Sequence, residues 1–398
     1  MELEEVYLVN GLRSPIGRFG GGLASLRATE IASPVVTELL ARTGVPAAEV
    51  QQVIAGMVLQ DMTESNPARI VAQRAGIPDE SAAFTLNMQC TSSMTALILA
   101  TRQVAMGAVG CVLALGLESM SNAPYMVQGA RWGLRLGDDR FIDTLQECKF
   151  AGSGMWGDPQ TMIDVAEHHA EVDGVSRHDM DESAVLSHQR AVAAIEAGRL
   201  AEEIVPVTVP HRRGDIVIER DENPRSDISI DRLAQMPPVR AGGTVTAGNS
   251  SAHNDGAAAA LICGARTVAR LGLEPIARIV VPGTAMVGCD PHLMGYSCVV
   301  AAEAALAGAE LDLDSVDLIE CNEGFAVQMV ACERMAKWPR ERLNVDGGSV
   351  GYGHPVGMSG LRITVHLAKA LRQRDLRHGL ATVPAGSGLG TAVVLEAA

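Results

Sequence analysis

Aromatic residues make up only 3% of this 398-residue chain. A core of stacked rings is therefore excluded. The 41 glycines and 47% hydrophobic content point instead to closely packed layers of Ala, Val, Leu and Gly, as in α/β proteins. A basic stripe is missing too, and the net charge of −15 argues against nucleic acid as a partner. No apolar run is long enough to cross a bilayer, so no membrane association is expected. The acidic opening MELEEVYLVN lacks the charged-then-apolar plan of a signal peptide. The eight cysteines contain no C-x-x-C pair and no regular spacing, which excludes a disulfide framework and a zinc site. These absences predict a cytoplasmic protein with reduced thiols, no metal and no resident cofactor. The length suits two or three packed units.

What is present is organised around Phe84 to Gly110, FTLNMQCTSSMTALILATRQVAMGAVG. It reads as a short strand, a turn at Cys90 and a helix apolar nearly all round, which must be buried. Thr91, Ser92 and Ser93 supply capping hydroxyls. A thiol at the start of such a helix faces unpaired N–H groups and the positive dipole end, and both favour thiolate. Cys90 is thus a candidate nucleophile, against the commoner fate of an inert buried cysteine.

Strand, helix, strand, loop, buried helix, strand runs through residues 5–119 and again through 277–396, and ARIVVPG resembles the opening EVYLVNG. Two such halves predict a five-layered α/β/α/β/α fold with a pseudo-twofold axis, their matching loops meeting at the chemistry. Residues 121–242 read as an inserted segment of loops and short helices. The expected boundaries are 1–120, 121–242, 243–270 and 271–398. The insertion's histidines (His168, His169, His178, His188) lack paired ligand spacing and read as a solvated face.

In the second half, His354 lies in GYGHPVG, where Pro355 favours extended backbone and the glycines permit close approach. The loop lacks the third glycine of G-x-G-x-x-G, so a dinucleotide site is disfavoured. Asn322 and Glu323, in CNEGF after a strand, could fix an imidazole or hold a water. Gly386, in PAGSGLG, offers a backbone N–H to an oxyanion. Cys, His and Asn on separate strand-end loops suggest acyl transfer through a thioester on Cys90.

The motifs RSPIGRFGG, NPAR, NMQCTSSMTA, ESMSNAPY, GTVTAGNSSAHNDGAAA, NEGFA and NVDGGSVGYGHPVGMSG resemble those of thiolases, in order and from end to end. That resemblance implies a two-half core with a substrate-covering loop domain, a homodimer or homotetramer, and coenzyme A thioesters as substrates. By motif it makes Cys90 the acyl acceptor and His354 its activator. A water on Asn322 joins His354 in one oxyanion hole, and the N–H groups of Cys90 and Gly386 form the other. Ser251 would contact the pantetheine arm and Arg225 the nucleotide end.

The chain also departs from the family. Thiolases carry a base cysteine two residues before the glycine of the last loop, where this chain has Pro384. Ser93, Leu115, Ala252 and Ser297-Cys298 replace family residues as well, and MIDVAE at 162–167 loses the family's Gly and Thr. Without that base, decarboxylation of a malonyl-type extender is one route to the carbanion, as in the fold-related ketoacyl synthases with Cys, His and Asn. Cys298 or Cys321 as a relocated base is a second option. Acyl transfer to a non-carbon acceptor, or thioester hydrolysis, is a third. A non-catalytic partner subunit is a fourth. Val239 stands where the family tends to place an aromatic beside the pantetheine, so CoA is held less firmly or the carrier is an acyl-carrier protein.

Overall fold

The computed structural model describes residues 3–148 and 161–398. The first half runs β1 (Val6–Arg13), α1 (Ala28–Thr43), β2 (Gln52–Gly56), α2 (Pro67–Arg74), β3 (Ala82–Leu86), α3 (Ser92–Ala105) and β4 (Cys111–Ser119). The inserted segment contributes α4 (Met162–Val172) and α5 (Arg177–Glu196). Then follow β5 (Asn254–Gly264), β6 (Ala277–Gly288), α6 (Ser297–Gly308), β7 (Leu318–Cys321), α7 (Ala326–Ala336), α8 (Ser359–Gln373), β8 (His378–Ala385) and β9 (Leu389–Ala397). No helix among the described residues is long and apolar enough to cross a membrane.

Nine of these strands form one path in the order β7-β8-β9-β6-β1-β5-β4-β2-β3. Read outward from its centre, the path repeats itself. On one side β1–β5 and β5–β4 are antiparallel while β4–β2 and β2–β3 are parallel. On the other, β6–β9 and β9–β8 are antiparallel and β8–β7 is parallel, with a parallel bridge from Ile319 to Leu343 in the place of the fifth strand. The halves join where β1 and β6 pair antiparallel through Val6–Ile279, Tyr7–Arg278 and Leu8–Ala277. This junction of two like strands is the pseudo-twofold.

Burial explains the layers. α3 buries eleven of its fourteen residues and α8 thirteen of its fifteen. Neither has a solvent face, so the two pack together between the halves in one core cluster that includes Met94, Leu97, Met358 and Leu361. A second cluster lies under α1 and α2 and a third under α6. The result is helix, sheet, helix, sheet, helix.

The inserted segment is fastened to this core by buried charge. The Arg13 guanidinium on β1 bonds Glu203 at 2.7 Å and Asp221 at 2.7 Å. Glu203 in turn pairs with His366 of α8 at 3.0 Å, and the far nitrogen of that ring lies 3.3 Å from Asp346. Such buried charges persist only as a paired set. The insertion departs from its sequence reading at two histidines. His169 and His188 are buried, not solvated. His169 Nδ1 lies 3.0 Å from Asp173 Oδ2 and Nε2 accepts the Gly295 N–H at 3.1 Å, so it ties α4 to the loop before α6. His188 accepts the Arg225 N–H at 3.2 Å.

Candidate active site

Cys90 sits in a tight turn between β3 and α3. Gln89 before it has φ +55°, a left-handed conformation that a side chain rarely adopts and that clusters at functional sites. Local hydroxyls hold the turn. Thr91 Oγ1 donates to Met88 O at 2.5 Å, Ser92 Oγ donates to Gln89 O at 2.6 Å and accepts the Met88 N–H at 2.9 Å, and Asn87 Oδ1 accepts the Gln89 N–H at 2.9 Å. The capping expectation is thus corrected. Thr91 and Ser92 bond backward to the turn, not forward into α3. Ser93 Oγ accepts the Leu361 N–H at 3.0 Å, a donor at the start of α8 that it shares with Met358 O at 3.2 Å. Gly56 lets the turn approach β2, since a Cβ there would meet the Ser92 carbonyl carbon at 2.4 Å.

Two backbone N–H groups point at the Cys90 sulfur, its own and that of Gly386. The Gly386 loop is bent by Ser387 at φ +67°. The thiolate expectation is reversed. Burial, joined by the nearby Cys148, pushes the Cys90 thiol up to about 12 despite the two donors. Desolvation of a sulfur anion outweighs what the helix terminus supplies.

The His354 loop reaches the turn through Glu118. This buried carboxylate, close enough to raise the Cys90 thiol further, accepts N–H groups from Val58 at 3.0 Å, Leu59 at 3.0 Å and Gly357 at 2.8 Å. His354 N–H donates to Asn254 Oδ1 at 3.0 Å. The residue before it is Gly353 at φ +100°, where a Cβ would lie 2.2 Å from that same oxygen. The His354 Nδ1 lies 2.7 Å from Ser359 Oγ. Ser359 spends its own hydrogen on Pro355 O at 3.0 Å, so it accepts from Nδ1–H. With the hydroxyl hydrogen placed on Pro355 O, the imidazole proton sits on Nδ1 and Nε2 carries a lone pair. Nε2 is buried with no hydrogen-bond partner among the described residues. Burial, with Arg362 and His253 nearby, lowers His354 to about 3, so the imidazole is neutral.

Asn322 follows β7. Its N–H donates to Thr382 O of β8 at 3.0 Å and its Oδ1 accepts from Ser349 Oγ at 2.7 Å. That serine also accepts from Arg362 Nη2 at 3.3 Å, so one guanidinium serves both the Asn322 and His354 loops. The Asn322 Nδ2 is buried and has no hydrogen-bond partner among the described residues. A base with no proton to take and a donor with no acceptor are the two open valences of this cluster.

Ser251 lies beside this group. Its Oγ and N–H both donate to Gly324 O, at 2.9 and 3.1 Å, while the His354 N–H also points at Ala252 O, 3.3 Å away. Arg225 is not brought in. It is exposed, on the insertion, and its backbone N–H donates to His188. Cys298 and Cys321 turn to other partners. Cys298 lies 3.4 Å from Cys332 and donates to Gly295 O at 3.1 Å, and Gln328 Nε2 spans Cys298 and Cys321 at 3.8 Å each. Sequence reasoning missed Ser349, Ser359 and Glu118. All three lie inside quoted motifs. The partners of Ser349 and Glu118 are distant in the chain, while Ser359 serves His354 of its own motif.

The sequence profile described as "Thiolase, N-terminal domain" matches residues 6–266, and "Thiolase, C-terminal domain" matches 273–397. The chain is 41% identical over 397 residues to an acetyl-CoA acetyltransferase of Pseudomonas aeruginosa PAO1, covering 99% of each. It is 41% identical over 398 residues to a probable acetyl-CoA acetyltransferase of Escherichia coli K12, again covering 99% of each. The crystal structure of the Bacillus anthracis acetyl-CoA acetyltransferase superposes with a TM-score of 0.96 at 39% identity over 100% of both chains. The human mitochondrial 3-ketoacyl-CoA thiolase in complex with CoA gives 0.94 at 35% identity, over 99% of this chain and 98% of that one. With both halves matched, and the fold matched along its whole length, the chain belongs to the thiolase family.

Proposed function

We propose that this protein is an acyltransferase that works through an acyl-enzyme on Cys90 and makes or cleaves a carbon–carbon bond between coenzyme A thioesters. The observation that supports this reading is a neutral thiol under two converging N–H groups, in a site that also holds a neutral imidazole with an open lone pair. His354 Nε2 takes the Cys90 proton as the sulfur attacks the thioester carbonyl, and returns it to the departing CoA sulfur. The Cys90 and Gly386 N–H groups hold the oxyanion, a contribution of about 10²- to 10³-fold per donor. The proton transfer adds about 10²- to 10⁴-fold. Asn322 Nδ2, through a water, joins His354 at the oxygen of the second thioester. Its carbanion then attacks the acyl carbonyl and expels Cys90. Ser251 lies along the approach of the pantetheine arm.

Two carbanion sources suit the site. Pro384, which cannot take a proton, favours decarboxylation of a malonyl-type extender. A second thiol near Cys90 favours proton abstraction. Incubation with acetyl-, longer acyl- and malonyl-CoA, followed by mass spectrometry, separates the two. Cys90→Ala should abolish the acyl adduct, and an adduct on another residue would sink the reading. We assign the assembly as a homodimer or homotetramer. The outer edge of β3 is unpaired, and every residue from 129 to 141 is exposed, Trp132, Leu136 and Phe141 among them. Light scattering that gave a monomer at micromolar concentration would overturn this.

A further inference from the structure

Pro384 leaves the proton-abstraction route without the group that the family places there, and one thiol in the structure stands where it could serve. A cavity of about 480 Å³ opens beside the Cys90 turn, lined by Val58, Leu59, Asn87, Gln89, Thr144 and Cys148, among others. Cys148 is half-buried. It packs against the small apolar cluster of Leu59, Met120 and Leu145 and lines the cavity together with Leu59 and with Gln89, the neighbour of Cys90. Its Sγ lies 3.2 Å from Leu145 O, which orients the thiol within this cluster. After burial, Cys148 is the strongest influence on the Cys90 sulfur. His354 Nε2 and Asn322 Nδ2 are both buried and without a hydrogen-bond partner among the described residues.

We propose that Cys148 is the catalytic group that takes the α-proton of the attacking acyl thioester, in place of the side chain absent at residue 384. The proposal rests on the acyl-enzyme reading of Cys90. Cys148 enters the second half-reaction as a thiolate, its proton having passed to solvent through the cavity mouth. The α-carbon–hydrogen bond breaks, its proton forms an S–H bond on Cys148, and its electron pair remains as the enolate. The enolate carbon bonds to the acyl carbonyl carbon. The carbonyl carbon–sulfur bond to Cys90 breaks, and the Cys90 thiolate takes the proton back from Cys148. Atoms and charge balance: Cys90 ends as the free thiol, and Cys148 ends as the thiolate that began the half-reaction. In thiolysis the same proton travels the other way.

The test follows deuterium entry into the methyl group of acetyl-CoA in D2O, together with acylation of Cys90 by mass spectrometry. The wild-type chain should do both. Cys148→Ala and Cys148→Ser should acylate Cys90 at a rate within about threefold of wild type, which also reports an intact fold, and should lose about 100-fold or more in exchange and condensation. Exchange within threefold of wild type in both variants overturns the proposal. Acylation and malonyl-CoA condensation with no exchange in the wild type also overturn it, while leaving the acyl-enzyme reading in place. No acyl-Cys90 in the wild type overturns that underlying reading instead.

Discussion

Replacing Ser359 with alanine should slow acylation of Cys90 with little effect on the fold. Among the described residues, Ser359 Oγ is the one hydrogen-bond acceptor for the His354 Nδ1–H, at 2.7 Å, and it is fixed by its own bond to Pro355 O. Without it the productive tautomer leaves a buried N–H unpaired, at a cost of about 1–3 kcal/mol. The opposite tautomer, with the proton on Nε2, avoids that cost but cannot accept a proton from Cys90. At about 1.4 kcal/mol per tenfold, the competent form, and with it the acylation rate, should fall about 5- to 150-fold. Quenched-flow mass spectrometry of acyl-Cys90 reads this directly, and KM should change less than the acylation rate. Ser359→Thr keeps the hydroxyl and should recover most of the rate. Wild-type acylation in Ser359→Ala would refute the assignment of Nε2 as the base, since the argument depends on one nitrogen being held open.

Three further outcomes follow from the same contacts. Burial alone would lower His366, but Glu203 and Asp346 outweigh it and raise the ring to about 10. Its stabilisation is therefore complete below the ordinary value of about 6.5 and is lost as pH rises through the folded value. Denaturation midpoints should fall between pH 7 and 10, and His366→Gln should flatten that slope. His354 is shifted the other way, to about 3, so its contribution to stability is present above pH 6.5 and is lost as pH falls toward 3. The acylation rate should accordingly stay level from pH 7 to pH 5, and a fall with a midpoint near 6.5 would contradict the burial of that ring. Gly56→Ala sets a Cβ 2.4 Å from backbone at Ser92, which cannot swing aside. A loss of about 1–3 kcal/mol in thermal or urea unfolding is expected, with acylation falling as the Cys90 turn moves.

Much of the architecture could be read from local pattern. α1 spans Ala28–Thr43 as expected, because Gly44 at φ +66° ends it. Ser176 caps α5 by accepting the Asp179 N–H. The likeness of EVYLVNG to ARIVVPG anticipated a relation that the structure makes physical, since those strands pair with each other. The failures share one cause, which is that burial is a property of the whole fold. A hydroxyl beside a helix start reads as a cap, but neighbouring carbonyls compete for it, as at Thr91 and Ser92. A thiol at that start reads as acidic until its solvent is removed. His169 and His188 read as surface because their own segments are charged, while Gly295 and the backbone of Arg225 reach them from elsewhere. The Thr161–Asp164 capping box that opens α4 was visible as T-x-x-D and was overlooked. Cys148 carries no local signal at all, for only the fold sets it near Cys90.

The contact from Gly386 to the Cys90 sulfur comes from the main chain. Side chains can be exchanged one at a time, whereas a peptide N–H survives every substitution except proline. A loop that contributes through its peptide group can thus carry Pro384, which has no acid–base function, and still present its N–H to the Cys90 sulfur. Lineages with this design can keep the capacity to load an acyl group while the later carbon chemistry is rebuilt around it. In such a scaffold the loading step is durable, and the choice of what is done with the load is the part open to change.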